Sequence, residues 1–222
     1  MDPDPVPFDA VILAGGRSSR LGGVPKQSLT YDGDTLLRRS AAAAGGARAA
    51  VVVGPYPAEL PAGLLGCREE PVYGGPAAAI GAGLARLAAV GGKRPPFTLV
   101  LACDMPHVER AVAELRKMLG TAGAGQPDGV VAVSEDGRRQ PLVGFYSTPA
   151  LQRAVDERAA VGGLTNASVT SLLARLDVQL VAVPAGSTAD VDTWDDAAAL
   201  GVAGVEPLSG SQPDAAADDL GD

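Results

Sequence analysis

The chain has 222 residues, of which 46% are hydrophobic and 4% aromatic, so we expect one domain with a core of Ala, Val and Leu side chains. The formal net charge is −8, but the terminal segments carry the acidic excess and the body is neutral by count, which argues against nucleic-acid binding. One histidine and two cysteines form neither a zinc site nor a disulfide framework, and no apolar run is long enough for a membrane span. We therefore expect a cytoplasmic protein without a membrane partner.

Short β-branched runs alternate with Ala/Leu-rich stretches, as expected for a parallel sheet with crossover helices. The predicted strands are residues 10–13, 51–53, 97–102, 130–133, 139–146 and 178–183. The predicted helices are residues 35–44, 76–89, 108–119, 149–159 and 168–176. Asp34 is the predicted N-cap of the first helix, and Cys67 is assigned to a loop.

This order predicts an α/β fold, a three-layer α/β/α sandwich with a mostly parallel sheet, over residues 8–202. The segments 1–7 and 203–222 are rich in acids, proline and small residues without periodicity. Such segments bury too little apolar surface to offset chain entropy, so we expect both to be disordered.

Ligands of an open α/β sheet bind beyond the carboxyl ends of its strands, and an unusual segment follows the first predicted strand. It reads LAGGRSSRLGGVPK over residues 13–26, and its paired glycines, Gly15 and Gly16, let backbone N–H groups approach a ligand closely. Three cations lie in the same segment, Arg17, Arg20 and Lys26. The combination favours phosphate binding, with a glycine-rich turn and solvated bases as the alternative. The spacing matches neither a P-loop nor GxGxxG, which disfavours a nicotinamide-dependent dehydrogenase.

Two later segments place carboxylates where strands end. Asp104 follows the apolar run in LVLACDMP, and an acid there supplies an oxygen ligand for Mg²⁺ beside substrate phosphates. Asp190 and Asp192, in DVDTWDD, are two residues apart, so in an extended segment they face one side and can converge on a cation. Helix capping is the alternative interpretation of these acids. We expect a Mg²⁺ site formed by Asp104 with Asp190 or Asp192.

Five segments together resemble the nucleotidyltransferases that include molybdenum cofactor guanylyltransferase. They are LAGGRSSRLGGVPK, GGPAAAIGAGL, ACDMP, RQPLVGFY and DVDTWDD, in the family's order and within about residues 8–200. The resemblance implies a Rossmann-like nucleotide-diphospho-sugar transferase fold and a required Mg²⁺. It also implies transfer of a nucleoside monophosphate from an NTP with release of pyrophosphate.

The resemblance assigns roles to residues at matching positions. The implied nucleotide-binding residues are Leu13, Ala14, Gly15, Lys26, Gly54, Glu70 and Asp104, and the backbone chemistry of the paired glycines adds Gly16. Asp104 is also the implied ligand of Mg²⁺. The chemistry of the residues themselves adds Asp190 or Asp192 as a second metal ligand, and it assigns Lys26 and Arg20, beside Asp104, to catalysis as the cations that stabilise the leaving group. Gly54 stands where the guanylyltransferases often carry Asn, and Glu70 where they carry Asp.

The resemblance favours GTP and a molybdopterin-type phosphorylated acceptor, with hand-over of the product to molybdenum enzymes or other cofactor-synthesis proteins. RQPLVGFY resembles the guanylyltransferase version of that segment, whereas Pro25 before Lys26 is commoner in relatives that use CTP or sugar phosphates. A cytidylyltransferase of the same family therefore stays open. A catalytically silent nucleotide-binding regulatory protein is the third possibility, although the joint presence of Lys26, Asp104 and Asp192 favours catalysis.

Overall fold

The computed structural model describes residues 6–16, 18–56, 60–120 and 127–204. Its strands are β1 (Phe8–Leu13), β2 (Thr30–Tyr31), β3 (Asp34–Thr35), β4 (Ala50–Val53), β5 (Leu64–Cys67), β6 (Phe97–Ala102), β7 (Gly129–Val133), β8 (Arg139–Ser147) and β9 (Val178–Ala182). Its α-helices are α1 (Leu36–Ala43), α2 (Pro76–Ala88), α3 (Val108–Gly120), α4 (Thr148–Gly162), α5 (Val169–Leu173) and α6 (Trp194–Leu200). Short 3₁₀ turns cover Ser19–Leu21 and Lys26–Ser28.

The central sheet has seven strands in the order β5-β4-β1-β6-β8-β7-β9. Its pairs are parallel except for those that β8 makes with β6 and β7. β1 pairs with β6 from Phe8 opposite Phe97 to Leu13 opposite Ala102. The segments that follow β1 and β6 therefore leave the sheet side by side, at the edge where a ligand site is expected.

Helices cover both faces of the sheet, and β1 is buried throughout its length. Its side chains alternate between two cores: Ala10 and Ile12 pack with residues of α1 and α3, whereas Val11 and Leu13 pack with residues of α2 and α4. A central strand with two covered faces favours a continuous apolar run, which is why residues 10–13 could be predicted as a strand. Asp9, which is buried and paired with Arg48 (2.9 Å), interrupts that run before residue 10. The three-layer α/β/α sandwich and the mostly parallel sheet are confirmed.

A third, smaller core joins the segment after β1 to the end of the described chain. Its buried members are Leu21, Leu29, Leu36, Val191, Ala197 and Val202. The backbones of Thr30 and Ala203 reinforce this packing by exchanging two hydrogen bonds. The small core therefore holds the segment that contains Lys26 against the one that contains Asp190 and Asp192.

Two local predictions are wrong. Cys67 lies on β5, whose four residues LLGC are too short and too glycine-interrupted to stand out in the sequence. The N-cap of α1 is Thr35, whose side chain accepts the backbone N–H of Arg38 (3.2 Å). Asp34 instead pairs with Tyr31 in the β2–β3 hairpin, which ends one residue before the helix begins.

The predicted disorder of the termini falls largely outside the described residues, which begin at 6 and end at 204. Val6 packs against the core shared with α1 and α3, so ordered packing begins before residue 8. Ala203 pairs with Thr30, so it also extends past residue 202. Within the described ranges, no helix has the length and apolar character needed to cross a membrane.

Candidate active site

A cleft of about 360 Å³ opens where β1 and β6 end. Five of the predicted site residues line it: Leu13, Gly15, Gly16, Lys26 and Asp104. The cleft extends toward β5 on one side, where Glu69 lines it, and toward β8 on the other, where Leu142 does. Backbone amides, a cation and a carboxylate thus share one concave surface.

Lys26 lies between two carboxylates that come from distant parts of the chain. Its Nζ donates to Asp104 Oδ2 (3.0 Å) and to Asp192 Oδ1 (2.5 Å), and its side chain is only 18% exposed. Burial alone would lower the pKa of Lys26, but the charges and hydrogen bonds of the two aspartates outweigh it and raise the pKa above its ordinary value. Lys26 therefore stays positively charged in the cleft.

Asp190 completes a group of three acids. Carboxylate oxygens of Asp104, Asp190 and Asp192 lie within 4.8 Å of one another. Partial desolvation, followed by the charges of Asp104 and Asp192, raises the pKa of Asp190. Lys26 offsets part of the negative charge of the three acids through Asp104 and Asp192. The hard oxygen donors suit a divalent cation such as Mg²⁺, which would neutralise the remaining charge. The predicted metal ligands are therefore brought together, and their donor chemistry fits the implied ion.

Asp196, a further acid of DVDTWDD, caps a helix and does not belong to the group of three acids. Asp196 Oδ2 accepts hydrogen bonds from the backbone N–H groups of Asp192 (3.2 Å) and Thr193 (2.8 Å), while Thr193 Oγ1 accepts the N–H of Asp196 (3.1 Å). This capping box starts α6 immediately after Asp192. Hydrogen bonds from Thr193, first among several causes, lower the pKa of Asp196. Asp196 thus fixes the turn that carries Asp192, and the capping interpretation holds for this acid.

Glu70 does not line the cleft, although the resemblance implies that it binds the nucleotide. Its side chain is exposed and outside the cleft lining, whereas the neighbouring Glu69 is 4% exposed and lines the cleft. Glu69 Oε1 accepts the backbone N–H of Tyr73 (3.1 Å), and a Cβ on Gly15 would lie 3.9 Å from the same oxygen. The turn after β5 decides which of two adjacent acids faces inward, and no sequence pattern distinguishes them. We therefore place Glu69 in the candidate site instead of Glu70.

Gly54 and Ala14 act through the backbone rather than as cleft-lining groups. A Cβ on Gly54 would lie 2.8 Å from the backbone nitrogen of Gly15, so only glycine allows this close approach. Ala14 is buried and its N–H donates to the carbonyl of Val53 (2.8 Å). Both residues hold the glycine-rich segment against the end of β4.

Arg20 lies at the rim of the site. Its side chain is 73% exposed, and its Nη1 is 3.7 Å from Asp192 Oδ2. An exposed guanidinium at this distance keeps most of its hydrogen-bonding capacity for an incoming anion. Arg17, the third predicted cation, lies outside the described residues.

The α/β fold and its strand-end cleft, which combines backbone amides, a lysine and three carboxylates, are those of a nucleotidyltransferase. These groups suit phosphoryl chemistry, which needs alignment and charge neutralisation more than acid–base side chains. Within this class, the chain belongs to the MobA-like NTP transferase domain family, whose model matches residues 10–183. The suspected family is thereby confirmed.

Curated and solved relatives agree with this assignment. The probable molybdenum cofactor guanylyltransferase of Mycobacterium tuberculosis (strain ATCC 25618 / H37Rv) is 37% identical over 166 residues, which cover 72% of this chain and 77% of that protein. The crystal structure of Rv0371c from Mycobacterium tuberculosis H37Rv has a TM-score of 0.64 at 27% identity and covers 87% of this chain and 96% of its own. Its complex with manganese matches at 23% identity with a TM-score of 0.60, covering 87% and 97% of the two chains, a likeness of fold.

Proposed function

We propose that the chain transfers GMP from GTP to the terminal phosphate of a molybdopterin-type acceptor, with Mg²⁺ bound and pyrophosphate released. The observation that carries the proposal is the position of Lys26, which bridges Asp104 and Asp192 in the cleft beside the glycine-rich segment. Guanylyl transfer and the acceptor are supported by the 37% identical relative named as a molybdenum cofactor guanylyltransferase. Hand-over of the product to molybdenum enzymes in the cytoplasm belongs to the same proposal.

The reaction needs little acid–base chemistry from the protein. The second pKa of a phosphate monoester is near ~6, so the acceptor phosphate is largely a dianion at neutral pH and attacks without a general base. One of its oxygens forms a bond to the α-phosphorus of GTP. The bond from that phosphorus to the bridging oxygen of the β-phosphate breaks, and pyrophosphate leaves with the electron pair. The chain has a single histidine, which is consistent with a reaction that needs no histidine as general acid or base.

Binding and alignment then account for the roles of the residues. Asp104, Asp190 and Asp192 would hold Mg²⁺, which supplies charge neutralisation at the reacting phosphates. Lys26 and Arg20 neutralise charge on the departing pyrophosphate, and the N–H groups of the glycine-rich segment orient the triphosphate. The manganese complex of Rv0371c supports a divalent ion, for which we propose Mg²⁺ in this protein.

Glu69 supports guanine as the base. A buried carboxylate accepts hydrogen bonds, and guanine presents two neighbouring donors, N1–H and the 2-amino group. The corresponding edge of cytosine presents a single amino donor. Glu69 is therefore the residue that we propose selects GTP over CTP.

The test is a pyrophosphate-release assay with molybdopterin, Mg²⁺ and each NTP in turn. We expect GTP to be preferred, and Glu69→Gln to reduce that preference while the exposed neighbour variant Glu70→Gln leaves it intact. A preference for CTP in the wild-type protein would contradict guanylyl transfer. Nucleotide binding without pyrophosphate release would favour a regulatory protein that has lost turnover.

A further inference from the structure

The pairing of β7 with β8 is interrupted next to the cleft. Val131 pairs with Gly144, but the next residue, Ala132, pairs with Gln140. Residues 141–143 of β8 therefore have no partner on β7, and we call this segment the β8 bulge. Bulges of this kind re-aim side chains and are frequent beside active sites.

The buried Tyr146 side chain holds the β8 bulge in place through a hydrogen bond. Its hydroxyl donates to the backbone carbonyl of Pro141 (2.7 Å), and the side chain is fully buried. A Cβ on Gly144 would lie 3.0 Å from Cε2 of the ring, so the absence of a side chain there makes room for Tyr146. Burial raises the pKa of Tyr146, which keeps the phenol protonated as a donor. Pro141 has no N–H to donate and no partner on β7, so its carbonyl is the backbone group through which the bulge can be held, and the Tyr146 hydroxyl donates to that carbonyl.

The β8 bulge lies on the side of the cleft away from Glu69. Val143 pairs with Leu101 near the end of β6, and Asp104 follows that strand. Leu142 and Glu69 both line the cleft, but β4, β1 and β6 lie between β5, which precedes Glu69, and β8, which carries Leu142. In-line displacement places the acceptor opposite the departing pyrophosphate at the α-phosphorus. With the base at Glu69, the α-phosphate at Asp104 and the pyrophosphate at Lys26, the part of the cleft that Leu142 lines is left for the acceptor.

We propose that Tyr146 is a positioning residue for the acceptor substrate: it fixes the β8 bulge so that Leu142 forms an apolar wall for the acceptor's ring system. The acceptor class is a phosphorylated compound with a fused heterocyclic ring system, whose carbon-rich face suits a leucine side chain. This inference rests on the proposed function, because it takes the base to lie at Glu69. Tyr146 itself touches no substrate, and its effect passes through Pro141 and Leu142.

The first test compares Tyr146→Phe with Thr98→Val. Phenylalanine keeps the ring and removes only the hydroxyl. Thr98 Oγ1 makes a buried hydrogen bond with Thr148 Oγ1 (2.9 Å) at the start of β6, away from the cleft, so its loss is a matched control for stability. We expect Tyr146→Phe to raise the KM for molybdopterin about fivefold, the equivalent of one ordinary hydrogen bond, with the KM for GTP nearly unchanged. Thr98→Val should change neither KM. Equal KM values in the two variants would overturn the proposal.

A double-mutant cycle tests the route through Leu142. In the wild-type background we expect Leu142→Ala to raise the acceptor KM, and in the Tyr146→Phe background to have a smaller effect, because the wall is already displaced. Additive effects would mean that the hydroxyl does not act through Leu142, and would overturn the proposal.

The dissociation constant of molybdopterin, measured without nucleotide, separates this inference from the proposed function. Wild-type protein that binds molybdopterin but releases no pyrophosphate from GTP contradicts the proposed function alone. An equal dissociation constant for wild type and Tyr146→Phe contradicts the positioning role alone. Wild-type protein that does not bind molybdopterin contradicts both.

Discussion

The backbone N–H of Val191 donates a hydrogen bond to the backbone carbonyl of Asp104 (3.0 Å). This bond joins the end of β6 to the turn before α6, and the buried Val191 side chain anchors that turn in the small core. Asp190 and Asp192 flank Val191 and are thereby held beside Asp104. The convergence of the three acids is thus built into packing and backbone hydrogen bonding.

The first prediction concerns Asp104. Asp104→Asn keeps the size of the side chain and removes the charge that pairs with Lys26 and faces the other acids. We expect kcat/KM for pyrophosphate release to fall about a hundredfold or more, as when a group that stabilises transition-state charge is removed. Glu114→Gln, on the exposed side of α3, is the control. Near-normal turnover of a folded Asp104→Asn protein would remove Asp104 from the mechanism.

The second prediction concerns the metal. Added Mg²⁺ or Mn²⁺ should raise the unfolding temperature, because an ion that binds only the folded state stabilises it by about 2.7 kcal/mol at a hundred times its dissociation constant. Asp192→Asn should remove most of this increase. Asp195→Asn changes an acid of the same segment outside the cluster and should leave the increase intact. Equal responses of the two variants would show that the cluster does not bind the ion.

The third prediction concerns Gly54. Gly54→Asn introduces a side chain whose Cβ would meet the backbone of Gly15 at 2.8 Å, so the glycine-rich segment must shift. We expect a loss of stability of about 1–3 kcal/mol together with a higher KM for GTP. Gly91 also has a positive φ, but a Cβ added there would have no atom within 4 Å, so Gly91→Asn is the matched control. Unchanged GTP binding by Gly54→Asn would contradict the backbone role.

The fourth prediction is a pH dependence. Hydrogen bonds from Thr193 depress the folded-state pKa of Asp196 below its unfolded value of about 3.9. A depressed carboxylate pKa stabilises the folded state at higher pH, and this contribution is lost as the pH falls through the folded pKa. Asp196→Asn should therefore be less stable than wild type at pH 7, and the difference should shrink progressively below about pH 3.9 in urea titrations. A difference that is constant with pH would mean that the capping box does not depend on the charge.

Much of the fold could be predicted because its signals are local. Phe97–Ala102 is an apolar run interrupted only by Thr98, and α2 begins with proline after two glycines, so both elements match their predicted positions closely. The sequence does not predict β5, because a four-residue strand containing Gly66 has no pattern of its own. Tyr56 packs so closely over Gly66 that a Cβ there would lie within 2.5 Å of the ring hydroxyl, and only the tertiary structure shows this contact.

The site was predictable to the extent that strand ends identify it. Lys26 and Asp104 each follow a predicted strand, but the ion pair of Lys26 with Asp192 spans most of the chain and depends on the small core. Glu69 could not be told from Glu70, because the orientation of two adjacent acids depends on how the turn after β5 folds. Leu142 was overlooked because its access to the cleft depends on a bulge that no sequence pattern predicts.

The proposed reaction requires that one divalent ion and the triphosphate of GTP meet between Asp104 and the turn before α6. Anomalous diffraction from crystals of the protein with Mn²⁺ and a non-hydrolysable GTP analogue measures this directly. We predict one strong manganese peak within coordination distance of Asp104 and of Asp190 or Asp192, with the triphosphate against Gly15 and Gly16. A nucleotide bound elsewhere, or a manganese peak away from these carboxylates, would contradict the proposed site.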